Sequence, residues 1–399
     1  MTMHFKSDYR RALPSIALLP LLFADIGFIW LGCAVPTFFL IFPWLFNIPL
    51  RVLKRVLATI GIGDKSAARL NLMDKQSFAA AEFVSNLHNT WRKDVHSSRS
   101  GKSARVTLYT CVAHSRPGLS QWAKRIKLTA RGMRHYRITR NWLAYWNATP
   151  MRAELAKATP RLLQKIYRPY QSLRLRSQDR FNVLVSHYDF IFQRGLGALV
   201  LRAARSQVLL GSFSGKTDSV YEIRLSAIAA LDREGELTLD LYSDQRRLFS
   251  IAFTFYKSES IWCIGLGCLQ GPRGNDAQER VRHATRDMFG LRPKALMTRL
   301  VREIGRAYGC KNVILVGNKN RVLCHQVHTG KVLADYDEFW QEMGAMRRPD
   351  GDHQLPCDDI PIPNLQDVPS HKRSEARKRI DLMGRVIQVA LTGFSGSRI

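Results

Sequence analysis

Four apolar runs succeed one another between Val220 and Gln270, separated by only a few residues each. "VYEIRLSAI" is followed by "DREG", "ELTLDLY" by "SDQRR" and "LFSIAFTFY" by "KSES"; "IWCIGLGCLQ" closes the series. Connections this short join antiparallel neighbours, because a parallel connection needs a crossover of a dozen residues or more. The first two runs alternate apolar with polar residues. The fourth is apolar on both faces and belongs in the middle of a sheet. Two helical segments come next, Asp276–Met288 and Pro293–Tyr308. Leu296, Leu300 and Ile304 form a buried stripe along the second, and Gly309 stands as its stop. "NVILVG" then reads as another buried strand, with "NRVLCHQV" pairing beside it. A helix between buried strands implies a parallel crossover. The fold class is α+β, a mixed sheet with helices behind an N-terminal hydrophobic and basic helical region.

The flanks divide by texture into residues 1–60, 61–180, 181–345 and 346–399. Lys65–Val95 reads as helical, "SSRSGKSAR" as a basic linker and "RVTLYTCVA" as a short strand. "LSQWAKRIKLTARGM" and "ITRNWLAYWNA" read as amphipathic basic helices. "TPMRAELAKATPRLLQKIYRPY" gives two short helices, with Thr149 and Thr159 as N-caps, each before a proline. "DRFNVLVSHYDFIFQRGL" is a helix carrying His187 and Tyr188. Met346–Val368, rich in Pro and Asp, is expected to be extended and loop-like, and a basic helix starts near Ser370.

Charge narrows the partners. The formal net charge is +29 and the pI near 10.3. Thr90–Arg180 holds 21 Lys and Arg against three acidic residues, Asp94, Glu154 and Asp179, which leaves +18 in that stretch. Trp122, Tyr136, Trp142, Trp146 and Tyr167 are interleaved with these cations. Three readings fit: a nucleic-acid face, helices lying on a membrane interface, or core aromatics under a solvated basic face. Ala12–Leu50 carries a single charge, Asp25, and is flanked by basic residues on both sides. That is roughly twice the ~20 residues one membrane-crossing helix needs. A hairpin or re-entrant segment with both ends cytoplasmic is the leading expectation. A single span over Ile26–Leu50 and a buried helical pair are its rivals. An anionic membrane surface is therefore the favoured partner, ahead of nucleic acid. Seven cysteines without a C-x-x-C pair read as reduced thiols, and no metal is expected.

Specific strings go further. "PRLLQKIYRPY", "RFNVLVSHYDF", "REGELTLDLY", "IGLGCLQG", "ERVRHATRDMFGLRPKALM", "DYDEFWQEMGA" and "HKRSEARKRIDLM" resemble the VirK/YbjX family, a family of unknown function in Gram-negative bacteria. The resemblance runs from about Leu119 to Met383. It implies links to virulence, to tolerance of cationic antimicrobial peptides and to envelope stress, and it implies association with the inner membrane; the reduced thiols and basic flanks add the expectation of its cytoplasmic face. It implies no reaction. The element order separately resembles acetyltransferase-type (GNAT) folds, in which acyl-coenzyme A lies where two strands splay, with its pyrophosphate on a glycine turn and a helix N-terminus.

The corresponding turn is "QGPRGND", from Gln270 to Asp276. Pro272 has no N–H to offer a phosphate, and Gly290 stands one place late for a phosphate loop started at Arg286. Gly271, Gly274 and Gly290 permit close backbone approach, and Arg273, Arg292 and Lys294 supply positive charge. These six are the candidate anion-binding residues. His187, Tyr188 and His283 are the candidates for proton transfer. Asp276 with Glu279 makes a capping-box pattern. Glu234 and Glu236 flank Gly235 in a hairpin turn, where solvated carboxylates are expected. An acyl- or aminoacyl-transfer function on an envelope component is one expectation; a non-enzymatic basic adaptor and a nucleic-acid-binding stress protein are the others.

Overall fold

The structure is a computed structural model that describes residues 105–113, 119–227, 231–322, 335–358, 360 and 364–395. The apolar Ala12–Leu50 segment, the Lys65–Val95 helix and most of the "SSRSGKSAR" linker lie outside these residues, as do Cys33 and Cys324.

Helices come first: α1 Leu119–Arg134, α2 Tyr136–Asn147, α3 Pro150–Ala158, α4 Ser177–Gln193 and α5 Gly197–Arg205. The meander is next, β1 Val208–Ser214, β2 Val220–Ser226, β3 Leu237–Ser243, β4 Arg246–Ser258 and β5 Ile261–Gln270. After it come α6 Ala277–Asp287, α7 Pro293–Ala307, β6 Asn312–Leu315, α8 Tyr336–Glu342, β7 Met346–Arg347, β8 His353–Pro356 and α9 Arg373–Ser395. The sheet has eight strands in the order β1-β2-β3-β4-β5-β6-β8-β7. β1 to β5 pair antiparallel, and β6 lies parallel to β5 in the register Cys263–Asn312 to Leu266–Leu315. The four apolar runs are thus β2 to β5, and β5 is an interior strand, as its two apolar faces require. Helix α7 makes the crossover. Pro293 fills its first position, Leu296, Leu300 and Ile304 are buried, and Gly309 beyond its end has φ +81°.

Several local expectations fail. "RVTLYTCVA" forms a 3₁₀ turn at Leu108–Val112 instead of a strand. Thr149 does cap α3, accepting from the Arg152 N–H at 3.3 Å. Thr159 does not cap the next segment; its hydroxyl donates back to the Leu155 carbonyl at 2.8 Å, and Pro160–Tyr167 is a 3₁₀ segment. Asp276 makes no capping hydrogen bond and pairs with Arg280 at 3.2 Å. The strand beside β6 is β8, so part of the Pro- and Asp-rich segment joins the sheet. Only Asn320–Val322 of "NRVLCHQV" is described, and it is in no strand.

Trp142 and Trp146 are wholly buried. They pack edge-to-face with each other at 5.2 Å between ring centroids, and Trp146 meets Tyr188 at 4.7 Å. For these two aromatics the core reading replaces the interfacial one. The apolar side of α2 is spent inside the fold, and its arginines are left outward.

Candidate functional site

The sequence from Arg286 to Lys294 turns the chain from α6 into α7 and builds a groove between them. About 410 Å³ in volume, it is lined by Phe249, Val281, Arg282, Thr285, Arg286, Arg292, Pro293 and Lys294. The spacing explains the lining: Arg282 and Arg286 stand four apart on α6, on the face that also carries Val281 and Thr285. Arg292 and Lys294 bracket the start of α7, where the first amides of a helix lack internal partners and favour negative charge. Glu342 on α8 partly offsets them, pairing with Arg292 and, at 3.7 Å, with Lys294. Arg282 has Glu279 at 4.0 Å on an exposed face, a weak pair. Among the described residues no carboxylate pairs with Arg286. The four cations therefore outnumber their two acidic partners.

A second cluster lies under the loop Leu231–Glu236. Gly235 is pressed so closely on β4 that an added Cβ would sit 2.6 Å from the Phe253 nitrogen. Its two neighbours are consequently buried, which corrects the expectation of solvated carboxylates at Glu234 and Glu236. Glu236 accepts from Lys165 Nζ at 2.5 Å and from the Tyr188 hydroxyl at 2.5 Å. Burial pushes the Glu236 carboxyl up, but the Lys165 charge and the two donated hydrogen bonds outweigh it and hold the group below its ordinary value. Burial, with the Glu236 charge added, raises Tyr188 well above a normal phenol. A pocket of about 110 Å³ reaches these groups between Thr159, Pro160, Arg161, Asp232 and Gly235. At its mouth Arg161 and Asp232 pair at 2.9 Å.

β5 passes beside the Leu231–Glu236 loop, where an added Cβ on Gly267 would lie 1.9 Å from the Glu234 carbonyl oxygen. Its pairing with β6 ends at Leu266 and Leu315, apart from one further bond from the Val316 N–H to the Leu266 carbonyl at 3.0 Å, while β5 runs on to Gln270. Beyond that point Tyr336 of α8 occupies the strand's edge. Its hydroxyl accepts from the Leu269 N–H at 2.7 Å and donates to the Leu269 carbonyl at 2.8 Å. The Arg321 guanidinium stacks 3.7 Å from the Tyr336 ring.

The profile of a family described as "Protein of unknown function (DUF535)" matches residues 117–390. The chain belongs to this family, the VirK/YbjX family. The VirK/YbjX chain is 24% identical to the uncharacterized protein YbjX of Escherichia coli (strain K12) over 307 residues, 75% of this chain and 92% of that one. It is 29% identical to an uncharacterized protein of Haemophilus influenzae over 174 residues, 43% of this chain and 57% of that relative. Among solved structures, a variant of a cAMP-binding acyltransferase from Mycobacterium smegmatis aligns over 52% of this chain and 61% of its own, with 10% identity and a TM-score of 0.21. A likeness so slight does not establish a shared fold.

In this VirK/YbjX chain the six anion candidates do not converge on one point. Arg292 and Lys294 line the groove, and Gly271 lies against its Phe249 floor, 3.3 Å from ring to an added Cβ. Arg273 is exposed and folds back on the Gln270 carboxamide, whose oxygen, turned towards it, accepts from Nη2 at 2.6 Å. Gly274 (φ +106°) serves the turn before α6. Gly290 (φ +77°) faces Arg379 and Glu375 of α9. Of the proton-transfer candidates, His283 is exposed on α6, outside the residues that line the groove. His187 is wholly buried, its Nδ1 accepting from the Phe255 N–H at 3.1 Å, and Tyr188 reaches Glu236. Arg282, Arg286 and Lys165 escaped the sequence reading, which took Glu236 only for a solvated turn carboxylate. The four-residue spacing of the two arginines on a helix otherwise facing solvent was the available signal; for Lys165 and Glu236, 71 residues apart, there was none.

Proposed function

We propose that this chain acts on the bacterial envelope from the cytoplasmic face of the inner membrane, as an acyl- or aminoacyl-transfer protein with a GNAT-like sheet. Its role is to support envelope integrity and resistance to cationic peptides. The observation that carries the reading is the groove between α6 and α7. Arg282, Arg286, Arg292 and Lys294 rim an apolar floor of Phe249, Val281 and Pro293 at a helix N-terminus, which suits the phosphates of an acyl-coenzyme A donor. The early end of the parallel β5–β6 pairing supports the GNAT-like part. The small pocket bounded by Glu236, Lys165 and Tyr188 offers polar groups that can hold an acceptor, with Glu236 kept ionised by its lysine and unsuited to act as a strong base. The charge of +29 suits an anionic membrane surface as partner. Acetyl-coenzyme A titrated calorimetrically into the full chain is the test. Micromolar binding is expected, weakened about tenfold or more by Arg282→Glu with Arg286→Glu and by added salt. No heat at high micromolar ligand, with the chain folded, rejects the transfer reading.

One observation favours a second reading, a non-enzymatic basic adaptor. Tyr336 satisfies both backbone groups of Leu269 at the place where a coenzyme would lie between splayed strands. Under that reading the chain binds anionic lipid or an acidic partner and no coenzyme.

A further inference from the structure

A surface helix ordinarily buries its apolar stripe and turns its polar side to water. Helix α1 does the reverse. The side it buries is small, Leu128 and Gly132, with Gly132 packed on Leu108, whose Cδ2 would lie 3.0 Å from an added Cβ. At about 100° per residue, the opposite side collects Leu119, Trp122, Ala123, Ile126, Ala130 and Met133. Leu119 is 89% exposed, Trp122 39% and Ile126 37%; both alanines are exposed and Met133 is half-buried. Scattered apolar residues on a surface are ordinary, but a stripe at helical spacing is not. One flank of the stripe is cationic. Lys124, Lys127 and Arg134 are exposed and Arg131 half-buried, and residues 119–147 hold seven basic side chains and no acidic one.

We propose that the outward side of α1 docks on an anionic phospholipid bilayer, with Leu119, Trp122 and Ile126 entering the boundary between headgroups and acyl chains. This rests on the membrane-surface reading above and names the surface that makes the contact. The argument is complementarity in two layers. Anionic headgroups face the lysines and arginines along that flank, whose long stems let them reach outward, and the hydrocarbon beneath receives the stripe beside them. Duplex DNA satisfies only the first layer, because leucine and isoleucine gain nothing against phosphates. The tryptophan is amphipathic and suits the boundary itself.

The experiment uses the full chain and sucrose-loaded vesicles, either phosphatidylcholine alone or three-to-one phosphatidylcholine–phosphatidylglycerol. Wild type is expected to sediment with the anionic vesicles more than with the neutral ones. Leu119→Ser, Trp122→Ser and Ile126→Ser combined should weaken anionic-vesicle binding about tenfold or more, with circular dichroism unchanged because the three side chains face solvent. Trp122→Phe gives the local readout. With bromine-labelled acyl chains, vesicle binding should persist while the quenchable share of tryptophan emission falls. Wild-type chain that ignores anionic vesicles refutes the membrane partner itself. Chain that binds them equally well with the triple substitution, or with Trp122→Phe quenched as fully as wild type, refutes the docking surface alone. Loss of duplex-DNA binding in the triple variant with vesicle binding intact would assign the face to nucleic acid and overturn the proposal.

Discussion

Replacing His187 by glutamine should alter how stability depends on pH more than it alters stability at neutral pH. His187 is wholly buried on α4; its Nδ1 accepts from the Phe255 N–H, and its Nε2 has no partner among the described residues. Burial lowers its pKa from 6.5 to about 4, against the opposing pull of the Glu236 charge. The unfolded imidazole takes a proton near pH 6.5, whereas the folded one resists until about 4. The stabilisation is therefore complete above 6.5 and is lost as pH falls from 6.5 to about 4. Between pH 7.5 and 4.5 that loss is about 2–3 kcal/mol, from ~1.36 kcal/mol per pH unit over the window. Glutamine is of similar length and does not titrate. Urea unfolding followed by circular dichroism at several pH values, wild type minus His187→Gln, removes the carboxylates common to both. A difference that stays flat from pH 7.5 to 4.5 refutes the buried neutral imidazole.

Three further outcomes are expected. Lys165→Met or Glu236→Gln alone should cost about 3–5 kcal/mol in chemical denaturation, because each strands a buried partner; the double substitution should cost clearly less than the sum, and additive losses would count against a coupled pair. Gly267→Ala should cost about 3 kcal/mol, since its Cβ would lie 1.9 Å from the Glu234 carbonyl oxygen; Gly265→Ala should cost less, about 1–2 kcal/mol, because the nearest atom is the flexible end of Gln171, though the Tyr256 ring at 2.8 Å must also shift. A reversed order in thermal unfolding would refute the close approach of the loop to β5. Tyr336→Phe should lose about 1–3 kcal/mol by stranding the buried Leu269 N–H, and an unchanged denaturation midpoint would show that edge satisfied otherwise.

The sheet was legible wherever the information was local. Short polar strings between the apolar runs forced β2 to β5 into a meander, closed by two residues at β3–β4 and β4–β5 and by ten at β2–β3, and the two-faced apolarity of β5 put it inside the sheet. The stripe on α7 and the buried run at Asn312–Leu315 were enough for the parallel crossover. β8 was not legible. His353–Pro356 sits among prolines and aspartates, and only pairing with β6, some 40 residues away, makes it a strand. Trp142 and Trp146 were ambiguous for the same reason: their spacing fits a core face and an interfacial face equally, and only the neighbouring Tyr188 and Phe181 decide.

The glycines of "IGLGCLQG" show why the site itself stayed hidden. As bare sequence, they suggest a backbone left open for a ligand. In the fold, Gly265 yields its side-chain space to Gln171, and Gly267 yields it to the Glu234 carbonyl. With the approach of Gly235 to β4, that second contact presses the Leu231–Glu236 loop against the sheet, and two acids beside a glycine are buried instead of solvated. Once buried, Glu236 must have a cation and a donor close by, and Lys165 and Tyr188 supply them from elements far away in the chain. Strand glycine is thus a statement about a neighbour. The groove at Arg282, Arg286, Arg292 and Lys294 is different, because its charges need no long-range contact beyond two consecutive helices meeting at a turn. It is accordingly the part of the site that the sequence could half declare, at Arg292 and Lys294, while the buried acid–base cluster required the fold.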